Sequence, residues 1–334
     1  MGRAPRETVE LVIDAGNGNI KASIGDGFEI IPSIFRFEDG YRVQGGFKLN
    51  GKHCIVGWDN DRRDDIIRVI NDDKGKIKYL PLLVAGTLSY FRHLIPRKAL
   101  VKVYLMTLNN LDWDTVVRKL AEIQELEIDG EKFDLTFKLV EMLPEGYGAA
   151  LYAKQQFPDK QTVAVLDIGN GTLNFSQYST KTPDPIRQKF QFIPCGFSSV
   201  VKFVANEYRK GTTSGMVHEE RIRQALNHNS YEYYTQVNVG TDNKVTDIRP
   251  YTEKALIHWL NQPELQEVLI KALDVVAFGI PIVACGGGFE CKILQDYFRQ
   301  ALGNTDLFHV PPNPVSLGVQ GVQQELNRGN KENG

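Results

Sequence analysis

The sequence has 334 residues, of which 42% are hydrophobic and 24% are charged, and its formal net charge is −2. This composition is ordinary for a globular protein, and the length allows two domains with separate cores. It excludes a strongly basic nucleic-acid binder, and no apolar run approaches the roughly 18–20 residues that a membrane helix needs.

The remaining composition also restricts the class of protein. The four cysteines form no C-x-x-C pair, and the six histidines are scattered without the spacing of metal ligands. Residues 1–9 are polar and lack the apolar region of a signal peptide. We therefore expect a reduced, cytoplasmic protein with no zinc site, no membrane contact and no direct nucleic-acid contact.

The first part of the chain begins with strand signals and then alternates strands with helices. The charged stretch 60–78 has no clear period and is compatible with helix or loop. The predicted strands are 8–14, 19–24, 28–35, further β signal over Tyr41–Trp58, and Leu100–Thr107. The predicted helices are 80–95, Asp112–Gln124 and Pro144–Phe157, with a hairpin around Asp129–Gly130 between the last two.

The second part starts with another strand hairpin and again continues into helices. Its predicted strands are the hairpin 163–178, a strand near 187–193, Tyr231–Val237, Ile280–Ala284 and Leu307–Val310. Its predicted helices are 197–209, 215–227, 251–278 with a break near Gln262–Pro263, 289–302 and a final helix after Pro314. The polar tail from Arg328 to Gly334 is predicted to be disordered. The mixture of strands and helices indicates an α/β fold.

Two short segments are close to copies of each other. Residues 11–21 are LVIDAGNGNIK and residues 164–174 are AVLDIGNGTLN. Each is an apolar strand that ends in an aspartate, Asp14 or Asp167, followed by a Gly-Asn-Gly tip and a second strand. One Asn-Gly turn is first of all a hairpin, but glycines at its tip also let backbone N–H groups approach an anion. The duplication predicts two related half-domains, each with one phosphate-binding hairpin, whose aspartates hold one Mg²⁺ largely through water.

Glu145 is predicted at the start of a helix, which leaves two interpretations open. An acidic residue there complements the helix dipole. Alternatively, Asp167 follows Glu145 by only 22 residues, so a helix and a returning strand bring Glu145 to the second hairpin. There it would polarise a water molecule for attack on a γ-phosphate.

Three successive glycines, Gly286, Gly287 and Gly288, follow a predicted buried strand. They form either a plain strand-to-helix turn or a place where a nucleotide touches the backbone. They match neither a Walker A loop nor a dinucleotide fingerprint. The helix 215–227 carries Glu219 and Arg223 on what is most simply a solvated charged face, and the tyrosines of 231–234 are most simply strand packing.

In their order along the chain, these motifs resemble those of the actin-fold ATPases, most closely the plasmid-segregation actins of the ParM/StbA type. The matching segments are a first phosphate hairpin at Asp14–Lys21, a connecting helix at Pro144–Leu151, a second hairpin at Asp167–Phe175, an adenosine motif at Ile282–Phe289, and a last connecting helix from Asn313 through Gly318 and Gly321.

The resemblance implies an α/β, actin-like (ribonuclease H-like) fold of two duplicated domains with a nucleotide cleft between them. Domain I would comprise 8–155 plus 311–327 with a small subdomain near 36–80. Domain II would be 156–310 with a small subdomain near 205–275, and 328–334 would be a flexible tail. Segments 36–80 and 228–262 match no motif of the family.

The resemblance also implies residue roles. Glu145 would position the attacking water, and Asp14 and Asp167 would lie on the metal side of bound ATP or GTP with Mg²⁺. The implied nucleotide-binding residues are Gly16, Asn17, Gly18, Asn19, Lys21, Gly169, Asn170, Gly171, Thr172, Glu219, Arg223, Gly286, Gly287 and Gly288. Asn170 stands where many relatives have glycine, and Asn174 stands where many have aspartate.

Three functions are compatible with these motifs. The first is a filament-forming ATPase that associates with itself and moves plasmid DNA through a DNA-binding adaptor protein. The second is a sugar- or acetate-type kinase, and the third is a regulatory module that binds nucleotide without polymerising. The matches at Asn19-Ile20-Lys21 and Gly171-Thr172-Leu173 favour the filament.

Overall fold

The structure is a computed structural model that describes residues 6–38, 45–57, 65–72, 74–107, 111–211, 217–235 and 244–332. The chain divides into two compact units, Met1–Gly148 with Gly318–Gly334, and Ala149–Leu317. Each unit has its own apolar core. The family resemblance implied domain limits after 155 and before 311, whereas these units divide after Gly148 and before Gly318.

The first unit is built on a ten-stranded sheet of order β3-β2-β1-β8-β10-β9-β5-β6-β4-β7. In chain order its elements are β1 (Glu7–Ala15), β2 (Asn19–Ile24), β3 (Gly27–Pro32), β4 (Ile34–Phe37), β5 (Gly46–Leu49), β6 (Lys52–Val56), β7 (Ile67–Arg68), α1 (Gly75–Lys78), α2 (Leu80–Tyr90), β8 (Lys98–Thr107), α3 (Trp113–Ala121), β9 (Leu126–Ile128) and β10 (Glu131–Pro144).

The second unit contains a five-stranded sheet of order β13-β12-β11-β16-β17 and a two-stranded sheet. After α4 (Tyr147–Gln156), which spans the division between the units, follow β11 (Thr162–Ile168), β12 (Leu173–Ser179), β13 (Ile186–Ile193), α5 (Phe197–Gly211), α6 (Glu219–Asn227), β14 (Glu232–Thr235), β15 (Lys244–Asp247), α7 (Arg249–Leu260), α8 (Pro263–Ala277), β16 (Ile282–Cys285), α9 (Lys292–Ala301), β17 (Phe308–His309) and α10 (Leu317–Glu332), whose first residue lies in this unit.

The two units repeat one five-strand arrangement. The order β3-β2-β1-β8-β10 in the first corresponds to β13-β12-β11-β16-β17 in the second. In both, three antiparallel strands are followed by two parallel ones. Asp14 pairs with Lys21 in the first hairpin, and Asp167 pairs with Asn174 in the second. The predicted duplication of the hairpins is therefore confirmed by topology as well as by sequence.

Local sequence explains where several elements begin and how they pack. The side chain of Asp112 accepts a hydrogen bond from the Thr115 N–H at 2.9 Å and caps α3. Helix α2 has Pro81 in its first turn and is buried on most sides, as expected of a helix without a polar face. A Cβ atom on Gly86 would lie 2.5 Å from the Val56 side chain, so glycine lets α2 lie close to the sheet.

Three predictions of secondary structure are wrong. The strand expected over 28–35 is interrupted at Ser33, where the chain turns from β3 into β4. The helix expected from Pro144 begins at Tyr147, because Pro144 is still paired with Thr107 as the last residue of β10. The tail expected to be disordered from Arg328 is helical to Glu332, since its preceding turns dock α10 through buried apolar side chains and no proline stops it.

The segments without a family match are only partly described. Of 36–80, the structure shows β4 to β7, a 3-10 turn over Val69–Asn71, and α1. The strand predicted over Tyr231–Val237 is confirmed as β14 up to Thr235, and its last two residues lie outside the described residues. Within the described ranges, no helix has both the length and the apolar character needed to cross a bilayer.

Candidate functional site

Glu145 and Asp14 lie at the same edge of the first unit. Strands β1, β8 and β10 are parallel to one another, so their carboxyl ends meet at one edge of the sheet. Asp14 is in register with Met106 on β8, and the Glu145 N–H donates to the carbonyl of Thr107, the next residue, at 3.1 Å. This edge is where an open α/β sheet binds ligands.

Glu145 is not in the first turn of a helix, so that part of the sequence interpretation is wrong. It lies in the turn between β10 and α4, followed by Gly146 at φ 86°. A residue outside the helix interacts with the dipole less directly than one in its first turn. The position therefore favours a role at the sheet edge, where Glu145 is 8% exposed.

Two lysines face the two carboxylates of this edge. Lys21 Nζ lies 3.2 Å from Asp14 Oδ2, and Lys76 Nζ of α1 lies 3.1 Å from Glu145 Oε1. Burial opposes the charge on Lys76, but the Glu145 and Asp14 carboxylates outweigh it and raise the pKa of its ammonium group. Within the described residues, Asp14 Oδ1 is buried and accepts no hydrogen bond. A buried carboxylate oxygen of this kind has a lone pair left for a water molecule or a cation.

The tip of the first hairpin is held by Ser33. Its N–H donates to the Gly18 carbonyl at 2.9 Å, and its hydroxyl donates to the Gly16 carbonyl. Because the N–H and C=O of a trans peptide point in opposite directions, the contact on the Gly16 carbonyl turns the Asn17 N–H away from Ser33. Among the described residues, the N–H groups of Asn17 and Gly18 donate no hydrogen bond. Such adjacent, unused N–H groups are what an anion requires.

The tip of the second hairpin is held by the start of α5. The N–H groups of Phe197 and Ser198 donate to the carbonyls of Gly169 and Asn170 at 2.9 and 2.8 Å. In the described part of the chain, the N–H groups of Asn170, Gly171 and Thr172 donate no hydrogen bond. The two hairpins thus expose backbone donors at equivalent positions through different supports. The supports are a buried serine in one unit and a helix N-terminus in the other.

Arg223 of α6 contacts this second hairpin. Its Nη1 donates to Asn170 Oδ1 at 2.6 Å, and its Nε donates to Glu220 at 3.2 Å. The resemblance implied that Arg223 binds the nucleotide, and the structure places its guanidinium on the hairpin tip. This contact gives the Asn170 side chain a structural role. Glu219 is the first residue of α6 and, within the described residues, makes no hydrogen bond or ion pair.

The three successive glycines differ in what they require. Gly286 has φ 90°, and a Cβ atom there would lie 2.3 Å from Asp167 Oδ1. A Cβ atom on Gly288 would lie 2.4 Å from the Ile168 side chain, so this glycine lets the chain pack on β11. On Gly287 a Cβ atom would meet only Val315, at 3.8 Å. Packing within the protein therefore explains why positions 286 and 288 require glycine. It does not explain Gly287, whose surroundings have room for a ligand.

Within the first unit, Gly148 lies directly against Gly318 and Gly321. A Cβ atom on Gly148 would lie 1.7 Å from the Gly318 carbonyl oxygen, and one on Gly321 would lie 2.1 Å from the Gly148 carbonyl oxygen. The two backbones touch, which no larger residue permits. The contact lies beside the two points at which the chain passes between the units.

The residues present fit a magnesium–nucleotide ligand better than a metal held by protein alone. Within the described residues, no group of three or more His, Cys, Asp or Glu side chains could hold a metal ion. Single aspartates at the ends of β1 and β11 beside unused N–H groups suit Mg²⁺ that is bound mainly by phosphate and water. Asp14 Oδ1 is available to accept from such a water molecule.

Sequence reasoning missed Ser33 and Lys76. Ser33 lies inside a predicted strand. Only the pairing of β2 with β3 brings it next to the tip of the first hairpin, which its sequence position does not reveal. Lys76 lies in the charged stretch 60–78, where it is one of several lysines with no periodic signal.

No protein-family model and no curated protein matches the sequence. Solved structures do resemble the fold. A 15-stranded ParM filament from Clostridium botulinum has a subunit with 14% identity and a TM-score of 0.68, covering 96% of this chain and 99% of that one. An archaeal actin homologue in complex with ADP has 16% identity, a TM-score of 0.68 and coverage of 96% and 100%.

MreB5 of Spiroplasma citri, bound to ADP, is also similar, with 17% identity, a TM-score of 0.62 and coverage of 99% of this chain and 100% of that one. These proteins share the arrangement over essentially their whole length. The fold predicted from the motifs is thereby confirmed, and the chain has the actin-like fold.

Proposed function

We propose that this protein is an ATPase of the actin-like class that assembles into filaments in the cytoplasm and moves plasmid DNA through a DNA-binding adaptor protein. The observation that carries the proposal is the pair of equivalent hairpins. Each presents unused backbone N–H groups next to an aspartate at a strand end. This arrangement suits phosphate oxygens and a hydrated Mg²⁺.

The structural comparisons support the filament and the nucleotide. One similar structure is itself a ParM filament, and two others are bound to ADP. The adaptor and the plasmid cargo rest on the ParM-like motifs alone. ATP is the proposed nucleotide, with GTP as the alternative for the same hairpins.

In this proposal the chain's own residues divide the work. Asn17 and Gly18 on the first hairpin, and Gly171 and Thr172 on the second, donate N–H groups to phosphate oxygens. Lys21 neutralises phosphate charge, and Gly287 lies against the adenosine. Mg²⁺, when bound near Asp14 and Asp167, shields the phosphate oxygens from one another.

Glu145 is the proposed catalytic residue. It orients the attacking water and accepts its proton as the bond to the γ-phosphate breaks. Its low exposure and its attachment to Thr107 keep the carboxylate at the strand edge. Hydrolysis then removes the γ-phosphate contacts, and the conformation favoured by the bound nucleotide loses its advantage.

Light scattering tests the proposal. Purified protein with Mg-ATP or Mg-GTP should scatter light above a critical concentration, because a head-to-tail interface that does not close extends as a fibre. The signal should decay as nucleotide is consumed, and filaments should be visible by negative-stain electron microscopy. Chelation of Mg²⁺ by EDTA provides the control and should abolish the signal.

The Glu145→Ala variant separates binding from hydrolysis. It should bind nucleotide nearly as well as wild type and hydrolyse it ~10²–10⁴ times more slowly. Its filaments should therefore outlast those of the wild type. Absence of polymer with either nucleotide over a wide concentration range, together with turnover stimulated by a small-molecule phosphate acceptor, would show that the protein is a kinase instead.

A further inference from the structure

Lys76 is the charged residue at this edge that no motif accounts for. Its Nζ lies 3.1 Å from Glu145 Oε1, with side-chain exposures of 26% for the lysine and 10% for the glutamate. The two residues are 69 positions apart in the chain, so the pair is a product of the fold. Lys76 also interacts electrostatically with Asp14 and Lys21, which form the other ion pair at this sheet edge. We call Asp14, Lys21, Lys76 and Glu145 the cluster.

The backbone holds Lys76 in place. It follows Gly75, which is buried and begins α1. A Cβ atom on Gly75 would lie 2.3 Å from the Val69 carbonyl oxygen, so glycine alone lets α1 pack on the preceding 3-10 turn. The Gly75 N–H also donates to the Asp72 carbonyl at 2.8 Å. Lys76 is thus presented by a packed element rather than by a free loop.

The cluster contains two positive and two negative side chains, arranged as two ion pairs. Lys21 pairs with Asp14, and Lys76 pairs with Glu145. In the proposed nucleotide complex, Lys21 would contact phosphate oxygens and Asp14 would hold the hydrated Mg²⁺. Glu145 is buried, and removing one member of a buried ion pair is more costly than breaking an exposed one. Lys76 keeps its contact with Glu145 in this arrangement.

We infer that Lys76 is a positioning residue for Glu145, holding its carboxylate oriented for the water that attacks the γ-phosphate. The inference rests on the proposed ATPase function. Lys76 acts through Glu145 and makes no essential contact with the nucleotide. Its removal should therefore lower the rate of hydrolysis while leaving nucleotide affinity close to that of the wild type.

A double-mutant cycle at saturating Mg-ATP tests this role. In single-turnover measurements, Lys76→Met should lose much of the ~10²–10⁴-fold rate that a water-orienting base contributes. In the Glu145→Gln background the same Lys76→Met change should cause no further loss, because two residues that act as a unit are not additive. Lys76→Arg keeps the charge and should recover a large part of the rate.

Lys74→Met is the matched control. Lys74 is exposed and directly precedes α1, so the variant removes one positive charge from the same segment without touching the cluster. Its hydrolysis rate and nucleotide affinity should equal those of the wild type. If Lys76→Met alone fails to fold, the Lys76→Met/Glu145→Gln protein, which removes both charges of the ion pair, is compared with Glu145→Gln alone.

The outcomes separate the inference from the function beneath it. Additive losses in the cycle, or weaker nucleotide binding with an unchanged rate at saturation, would mean that Lys76 acts on the nucleotide directly and would overturn the inference. Equal hydrolysis rates in the wild type and in Lys76→Met would overturn the inference about Lys76 but would leave the proposed ATPase function standing. A wild type that binds no nucleotide would overturn the proposed function, and the inference with it.

Discussion

The substitution Gly286→Ala tests the geometry that joins the glycine run to Asp167. Gly286 adopts φ 90°, which an L-residue reaches only with strain. Its new Cβ atom would also lie 2.3 Å from Asp167 Oδ1 and 2.5 Å from the Ile168 carbonyl oxygen. The neighbours that must move are a carboxylate at the candidate site and the backbone of β11.

Gly303→Ala isolates the first of these two effects. Gly303 belongs to the same unit and has φ 78°, but a Cβ atom there meets nothing within 4 Å. Strain at positive φ alone should destabilise this control by about 1–2 kcal/mol. In Gly286→Ala, displacement of packed neighbours adds about 1–3 kcal/mol, for a total of about 2–5 kcal/mol.

Urea unfolding measures both losses in one unit. Trp259 is fully buried in the core of the second unit, so its fluorescence reports the unfolding of that unit. Binding of a fluorescent ATP analogue should be lost in Gly286→Ala, where Asp167 is displaced, and retained in Gly303→Ala. Equal destabilisation of the two variants, or normal nucleotide binding by a folded Gly286→Ala protein, would refute the reasoning.

Three further glycine-to-alanine substitutions have different expected outcomes. Gly287→Ala should leave the free energy of unfolding nearly unchanged, because its Cβ atom would meet only Val315, at 3.8 Å. It should nevertheless weaken nucleotide binding in titrations. An unchanged affinity would show that Gly287 does not contact the nucleotide. Gly321→Ala should destabilise the protein by about 1–3 kcal/mol because its Cβ atom would lie 2.1 Å from the Gly148 carbonyl oxygen. Gly329→Ala in the same helix is the control, because its new Cβ atom would meet nothing within 4 Å. This variant should stabilise the protein by up to about 1 kcal/mol. Thermal melts that show Gly321→Ala to be the more stable variant would contradict the contact between Gly148 and Gly321.

Much of the site was predictable because it is encoded locally. Each hairpin needs only its own apolar strands, its aspartate and its Gly-Asn-Gly tip, so the repeat is visible in eleven-residue segments. The pairing of Asp14 with Lys21 and of Asp167 with Asn174 follows once the turn is placed. The strand-to-turn position of Gly286 was visible for the same reason.

Errors arose where a local signal competed with pairing elsewhere in the chain. Proline often begins a helix, but Pro144 is paired with Thr107 of β8, so the strand continues and Glu145 lies in a turn. The strand predicted over 28–35 is broken because Ser33 donates both its N–H and its hydroxyl to the first hairpin. Neither partner is adjacent in sequence.

The sequence by itself determined the two hairpins, because strand periodicity, glycine tips and strand-end aspartates are properties of short segments. The actin-like fold was implied by the family resemblance of these motifs. Only the tertiary structure decided which side chains support them. Lys76 reaches Glu145 from 69 residues away, and Arg223 reaches Asn170 from 53 residues away. Contacts of such separation depend on how sheets and helices pack, and no period or spacing in a single chain records them.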